Sequence, residues 1–243
     1  MKPRNLFLIA VFFCAFLVVH DHAFSAVVRD ADGNLYATVE IGHQEWMAEN
    51  LEVRHYRNGD PIRHAMTSAE WRDAAMNGEG AWCYYLNRTD YGYDYGILYN
   101  WYAISDPRGL APEGWHIPDD REWKQLTASL GGRVTAGGVL KASMPAGGHA
   151  QGRYLTVSER FAALPGGYRR NDGRFCYGET HSYFWTASEF IDGFAWFRHL
   201  TNAHDMVFRN DTSMGNGMSV RCVRDASSVL PSSYTVVTGE RRK

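Results

Sequence analysis

Apolar and polar positions change period several times along this chain, and each change marks an element. From residue 35 to 41 they alternate, the period of a strand with one face buried. Residues 27–29 precede that strand across Asp32-Gly33, a hairpin turn signal. Trp46, Met47 and Leu51 follow and predict a segment lying against the core. Thr67-Ser68-Ala69-Glu70 is a capping box: it predicts a short helix with Trp71 and Ala74 or Ala75 inward, stopped at Asn77-Gly78. Asp119-Asp120-Arg121-Glu122 is a second box, after Pro118. Trp123, Leu126 and Leu130 then recur at intervals of three and four, the buried stripe of a helix that Gly131-Gly132 ends. Residues 81–86 have strand composition, and 96–104 fit either a buried helical turn or a strand. Residues 131–152 are glycine, alanine and small polar residues and predict a long surface loop. Short aromatic strands are expected over 183–188, 194–200, 205–209 and 218–224, after an Asp172-Gly173 turn.

Composition adds the compartment. Lys2 and Arg4 precede an apolar run over residues 6–19, which His20-Asp21-His22 breaks before the small residues Ala23 and Ser25. This is the pattern of a secretory signal peptide over residues 1–26, too short in its apolar part to span a bilayer. A body over residues 27–225 and a polar tail over 226–243 are expected, with no membrane span after signal removal. The location expected is the periplasm, the outer surface or the medium of a bacterium. A formal charge of -2 gives no electrostatic reason to bind nucleic acid. Twelve Phe, fourteen Tyr and eight Trp beside twenty-four Gly place large flat side chains where the backbone turns tightly. Apart from Cys14, the cysteines are Cys83, Cys176 and Cys222, an odd number that allows at most one internal disulfide in an oxidising compartment.

Candidate chemistry is sparse. Asp30-Ala31-Asp32-Gly33-Asn34 has glycine fourth, where a calcium loop of the EF-hand type needs it sixth, so it reads as a turn. Asn210, Asp211 and Asn216 offer oxygen ligands for calcium, yet the same residue types close ordinary turns. His181, His199, His204 and Asp205 are candidates for a transition metal or an acid–base pair. Adjacent His204 and Asp205 would point to opposite faces of a strand. Cys176, between Phe175 and Tyr177, is the thiol available for redox chemistry. Aromatic side chains near glycine turns are a usual means of gripping a sugar ring or a protein patch. Two such groups stand out: Tyr91, Tyr93 and Tyr95, and Tyr168, Arg169, Arg170, Asp172 and Tyr177, of which Tyr91, Tyr93, Tyr168, Arg169, Asp172 and Tyr177 are the candidate ligand-binding residues.

Several segments taken together resemble one family. Asp32-Gly33-Asn34-Leu35-Tyr36, the stretch from Ile41 to Leu51, Trp82-Cys83-Tyr84-Tyr85 and residues 95–103 resemble the opening and middle of the Fibrobacter succinogenes major paralogous domain. Residues 112–118, 161–168, Phe184-Trp185-Thr186-Ala187-Ser188 and residues 219–225 resemble its close. The resemblance implies export and a C-type-lectin-like α+β fold: two short helices, a small twisted antiparallel sheet and long loops. It also suggests a Cys83–Cys222 disulfide, because both cysteines lie in the resembling segments, with Cys176–Cys222 open as the other pairing. Such a bond would add ~2–4 kcal/mol. The function expected is a non-catalytic module binding a carbohydrate or an envelope protein. The alternatives are a structural surface protein without a specific ligand and an oxidoreductase like the formylglycine-forming enzyme.

Overall fold

The computed structural model describes residues 27–141 and 161–226. The expected signal peptide, the tail beyond Ala226 and the middle of the predicted glycine-rich loop lie outside the described residues. The first hairpin forms as its turn signal requires: β1 (Val27–Arg29) pairs with β2 (Leu35–Ile41), and β2 with β3 (Gln44–Met47). The turn is held by the Asp30 carboxylate, which accepts from the Asp32 and Asn34 amides, from Asn34 Nδ2 and from the Tyr36 hydroxyl. Next come β4 (Arg63–His64), α1 (Ser68–Asn77), β5 (Ala81–Cys83) and one turn of 3-10 helix at Tyr85–Asn87. They are followed by α2 (Thr89–Tyr95), β6 (Leu98–Asn100), α3 (Trp101–Ile104), α4 (Asp120–Ser129) and α5 (Ala136–Leu140). The remaining strands are β7 (Gly166–Arg169), β8 (Phe175–Gly178), β9 (His181–Ile191), β10 (Phe194–Thr201), β11 (His204–Ser213), β12 (Gly217–Met218) and β13 (Val223–Asp225).

Both capping boxes do what their sequence dictates. The Thr67 hydroxyl accepts from the Glu70 amide and the Asp119 carboxylate from the Glu122 amide, while each glutamate reaches back to its cap. Each cap contributes about 1 kcal/mol. Trp71 and Ala74 of α1 and Trp123 and Leu126 of α4 are buried, and Leu130 packs partly against the same core.

The C-type-lectin-like architecture is corrected by the sheets. The chain is α+β, with five α-helices and thirteen strands among the described residues. Four strands form one sheet, ordered β1-β2-β3-β13. Nine form the other, along β11-β10-β9-β7-β12-β6-β5-β4 with β8 beside β7. Parallel pairs occur between β4 and β5 and between β7 and β9. This is neither a small sheet nor a two-helix body. The additional helices escape sequence reading because α2 and α5 carry no side-chain cap and only seven and five residues. α5 also corrects the surface-loop expectation: Ala136, Gly137 and Leu140 are buried. A Cβ on Gly137 would lie 2.7 Å from the Asp205 carbonyl, so small residues serve close approach to β11.

The expected last strand is split between the sheets. Met218 belongs to β12 and Val223 to β13. The strap between them bonds to both sides: Leu51 and Met47 donate amides to the Val220 and Cys222 carbonyls, and Trp185 donates to that of Ser219. Arg221 is fully buried in this strap, donating to Asn50 Oδ1 and the Phe161 carbonyl, with its guanidinium over the Phe161 ring.

The disulfide expectation is also overturned. Cys83, Cys176 and Cys222 are all free thiols. Cys83 sits with Trp71, Ala74 and Leu98, whereas Cys222 belongs to a different apolar cluster with Met47, Leu51 and Val220. Each is a small buried hydrophobe, and burial pushes the Cys83 thiol up to about 11 and the Cys222 thiol up as well.

Candidate ligand-binding face

Strand geometry sends alternate side chains to opposite faces. On β9, Phe184 points toward α4, while His181, Tyr183 and Trp185 take the other face. On β10, Arg198 and Leu200 go toward α4, and Phe197 and His199 go the other way. Phe208 continues the second set on β11, and Tyr168 continues it on β7. The result is a row of rings crossing four neighbouring strands. Tyr168 and Tyr183 have centroids 4.7 Å apart, Tyr183 and His199 5.4 Å, and His199 and Phe208 4.6 Å with planes within 8°. These separations follow the ~4.8 Å spacing of strands in a sheet. Tyr183, His199 and Phe208 stack in sequence, while Tyr168 meets Tyr183 tilted by 49°, both arrangements that aromatic pairs favour over a face-to-face sandwich.

Tyr177 and His181 stand at the end of this row. Tyr177 is 57 % exposed, its ring nearly parallel to that of Tyr168 at 6.2 Å and 4.8 Å from that of His181. Its backbone is left-handed, with φ +58°. That costs a residue with a Cβ ~1–2 kcal/mol, and such strain concentrates at functional positions. Local backbone packing sets the stage. Gly167, at φ +64°, would with a Cβ lie 2.6 Å from both the Cys176 carbonyl and the Gly178 amide, so only glycine lets β7 and β8 meet here.

Electrostatically the row is neutral. Burial, reinforced by His181, pushes His199 down to about 4, and burial lowers His181 too. Burial raises the Tyr183 and Tyr168 phenols. His199 Nδ1 is buried without a hydrogen-bond partner. The face therefore offers apolar ring surface with phenol and imidazole handles, and no ion pair runs through the row among the described residues.

The predicted residues distribute unevenly over this surface. Tyr168 and Tyr177 are brought together. Arg169, next to Tyr168 on β7, points the other way and is fully buried between Trp71 and Phe175, each ring 4.7 Å from its guanidinium. It donates to the carbonyls of Gly173, Ala65 and Met66, so it ties loops together and has no accessible surface. Asp172 closes the β7–β8 turn, accepting from the Arg174 amide and guanidinium. Tyr91, on α2, packs against Tyr85 and Tyr95, with Arg88 over its ring. Tyr93 is also on α2, and its side chain lies outside the described residues. Asn210 and Asp211 are exposed neighbours on β11, with side chains on opposite faces. Asn216 is buried, accepting from the Asn171 amide and donating to Thr212 Oγ1, which commits it to its turn. Among the described residues no group of three or more His, Cys, Asp or Glu could hold a metal ion. From the sequence, His181 and His199 are expected only as residues for metal or acid–base chemistry. The alternation His181-Tyr183-Trp185 and Phe197-His199 carried the aromatic signal.

Residues 39–224 match the family model of the Fibrobacter succinogenes major domain. The chain belongs to that family. The match runs from β2 to β13 and so takes in the whole ring row of this member of the Fibrobacter succinogenes major domain family. No curated protein and no solved structure matches the chain. Among the described residues no helix is long and apolar enough to cross a membrane.

Proposed function

We propose that this protein is an exported, non-catalytic binding module that grips a carbohydrate on the ring row between β8 and β11. The observation that carries the reading is Tyr177: a large ring, more than half exposed, kept at positive φ beside Tyr168 and His181. A purely structural position of this kind favours glycine or asparagine. Exposed tyrosine surface with a neutral polar rim suits the apolar face and hydroxyl edge of a sugar.

A glycan array probed with the protein and with Tyr177→Asn tests this. Asparagine tolerates the backbone and removes the ring, so glycan binding is expected to fall at least tenfold with the fold intact. Equal binding by both proteins, or none by the parent, defeats the reading. A second reading, an envelope-protein partner, is favoured by the β9–β10 hairpin tip, where Phe190, Ile191 and Phe194 are 44 %, 55 % and 41 % exposed. It predicts capture of a protein by the parent and loss of that capture in Phe190→Ser/Phe194→Ser, with the array unaffected.

A further inference from the structure

The hydrogen bonds around Tyr177 fix which nitrogen of His181 carries the proton. Thr180 Oγ1 donates to the Tyr177 carbonyl at 3.0 Å. A hydroxyl has one hydrogen, so with that hydrogen on the carbonyl the same oxygen can only accept from its other neighbour. That neighbour is His181 Nδ1, at 2.9 Å. His181 Nδ1 is therefore the donor. The neutral ring is left with an unprotonated Nε2, a lone pair with no hydrogen-bond partner among the described residues.

We infer that His181 is the specificity-determining residue of the face, its Nε2 accepting a hydrogen bond from a hydroxyl of a neutral saccharide seated against Tyr177. This rests on the carbohydrate reading and adds to it the ligand class and the atom that reads it. Two features select the class. The rings from Tyr168 to Phe208 are themselves neutral, and the cation beside Tyr168, Arg170, is paired with Asp172 at 3.4 Å, so the row favours neither a uronate or sulfate nor an amine. An acceptor-only nitrogen beside a stacking ring rewards a hydroxyl donor and gives nothing to an ether oxygen in its place. A site built for a hydroxyl discriminates against an analogue lacking it far more strongly than an apolar pocket can. The Thr180–Tyr177 contact makes the device self-consistent: the strained residue that presents the stacking ring also supplies the carbonyl that sets the imidazole tautomer.

The test uses the full chain with neutral tetrasaccharides of glucose, mannose, galactose and xylose, their per-O-methylated forms and a tetrauronate. The parent is expected to bind at least one neutral tetrasaccharide tenfold or more tighter than its methylated form and the tetrauronate. His181→Phe, which keeps the ring stack, is expected to bring the hydroxyl-to-methyl ratio near one, and His181→Gln to restore part of it. A ratio unchanged in His181→Phe overturns the inference. Nitrogen-15 NMR of the ligand-free protein reads the tautomer independently: Nδ1–H is expected in the parent, with Nε2–H gaining population in Thr180→Val. A parent ring protonated on Nε2 overturns the role of His181 even where a tetrasaccharide binds. Absence of all tetrasaccharide binding with Nδ1–H observed instead locates the failure in the carbohydrate reading.

Discussion

The two faces of the β9–β10–β11 ribbon are made by alternate residues of the same strands, yet they are stabilised in different ways. The face toward α4 is closed by other elements. Phe184, Leu200 and Val207 share a core with Trp46, Trp123, Leu126 and Leu140, and Trp46 meets Trp123 edge-on at 5.1 Å. Its polar members are paired as well: Asp120 accepts from Arg198 and Arg209 at 2.6 Å each and from Lys124 at 2.8 Å. On the other face, Trp185 and Phe197 join the main core, but His181, His199 and Phe208 are only half-buried. There each ring's principal partner is the ring on the next strand. The covered face derives its stability from burial; the half-buried rings of the other face depend more on lateral stacking, at ~0.5–1.5 kcal/mol per pair.

The largest expected effect tests that contrast directly. Trp123→Ala removes a fully buried ring from the covered face and should cost ~3–5 kcal/mol in urea unfolding. Phe208→Ala on the half-open face should cost only ~1–2 kcal/mol, because it loses the stacked His199 and the edge-on His204 and no enclosed cavity forms. Similar losses for the two variants would show that the row is ordinary core and would remove the distinction between the faces.

Acid separates the faces on a second axis. His199 has a folded pKa of about 4, below the ~6.5 of an unfolded histidine, so the unfolded chain takes up its proton first. Stability from the ring row is then complete above pH ~6.5 and is lost as pH falls from there toward 4. The loss is on the order of 2 kcal/mol once screening at a half-open surface is allowed for. For Asp120, burial alone would raise the carboxyl. Hydrogen bonds from Arg209, Lys124 and Arg198 outweigh that and hold it well below the ordinary carboxylate range. Its contribution is therefore present above pH ~4 and is lost only as pH falls further, toward the depressed folded value. Thermal melts across this range should show two waves of destabilisation. His199→Phe should shrink the upper one, leaving the smaller part due to His181, and Asp120→Asn should shrink the lower, to which Asp106, Glu122 and Asp172 also contribute. A single wave untouched by His199→Phe would mean that His199 is not held neutral by the row.

What could be read from the sequence follows the range of the interactions involved. The two capping boxes, the Asp32-Gly33 hairpin and the stripe of Trp123 and Leu126 are local signals, and each formed as read. Three late strands are legible as short aromatic segments between turns, although β9 extends to Ile191 and β11 to Ser213. Long-range facts were not visible. Arg169 reads as a surface arginine until Trp71 and Phe175 arrive on either side of it, one from α1 and one from β8. Cys83 and Cys222 read as a pair because both lie in family-like segments, and nothing local reveals that they enter separate clusters. Tyr168 and Tyr177 could be picked out by their glycine neighbours. Their union with His199 and Phe208 depends on strand order and register, which no single segment encodes.

The smallest expected stability change is the sharpest test of the comparison. Tyr177→Gly relieves the left-handed backbone and gives up the contacts of a ring that is more than half exposed. Glycine reaches positive φ without steric cost but enlarges the unfolded ensemble, so the two effects nearly cancel. The net change should lie within about 0.5 kcal/mol of zero, with the midpoint of thermal unfolding essentially unmoved. A tyrosine that adds nothing net to stability, in a backbone conformation that favours glycine, is not accounted for by folding alone. If Tyr177→Gly instead lowers stability by ~2 kcal/mol or more, the ring is a structural wedge between β8 and β9. The half-open face would then be a second core with a thin rim, and its neutrality and exposed tyrosine would have an explanation that involves no ligand.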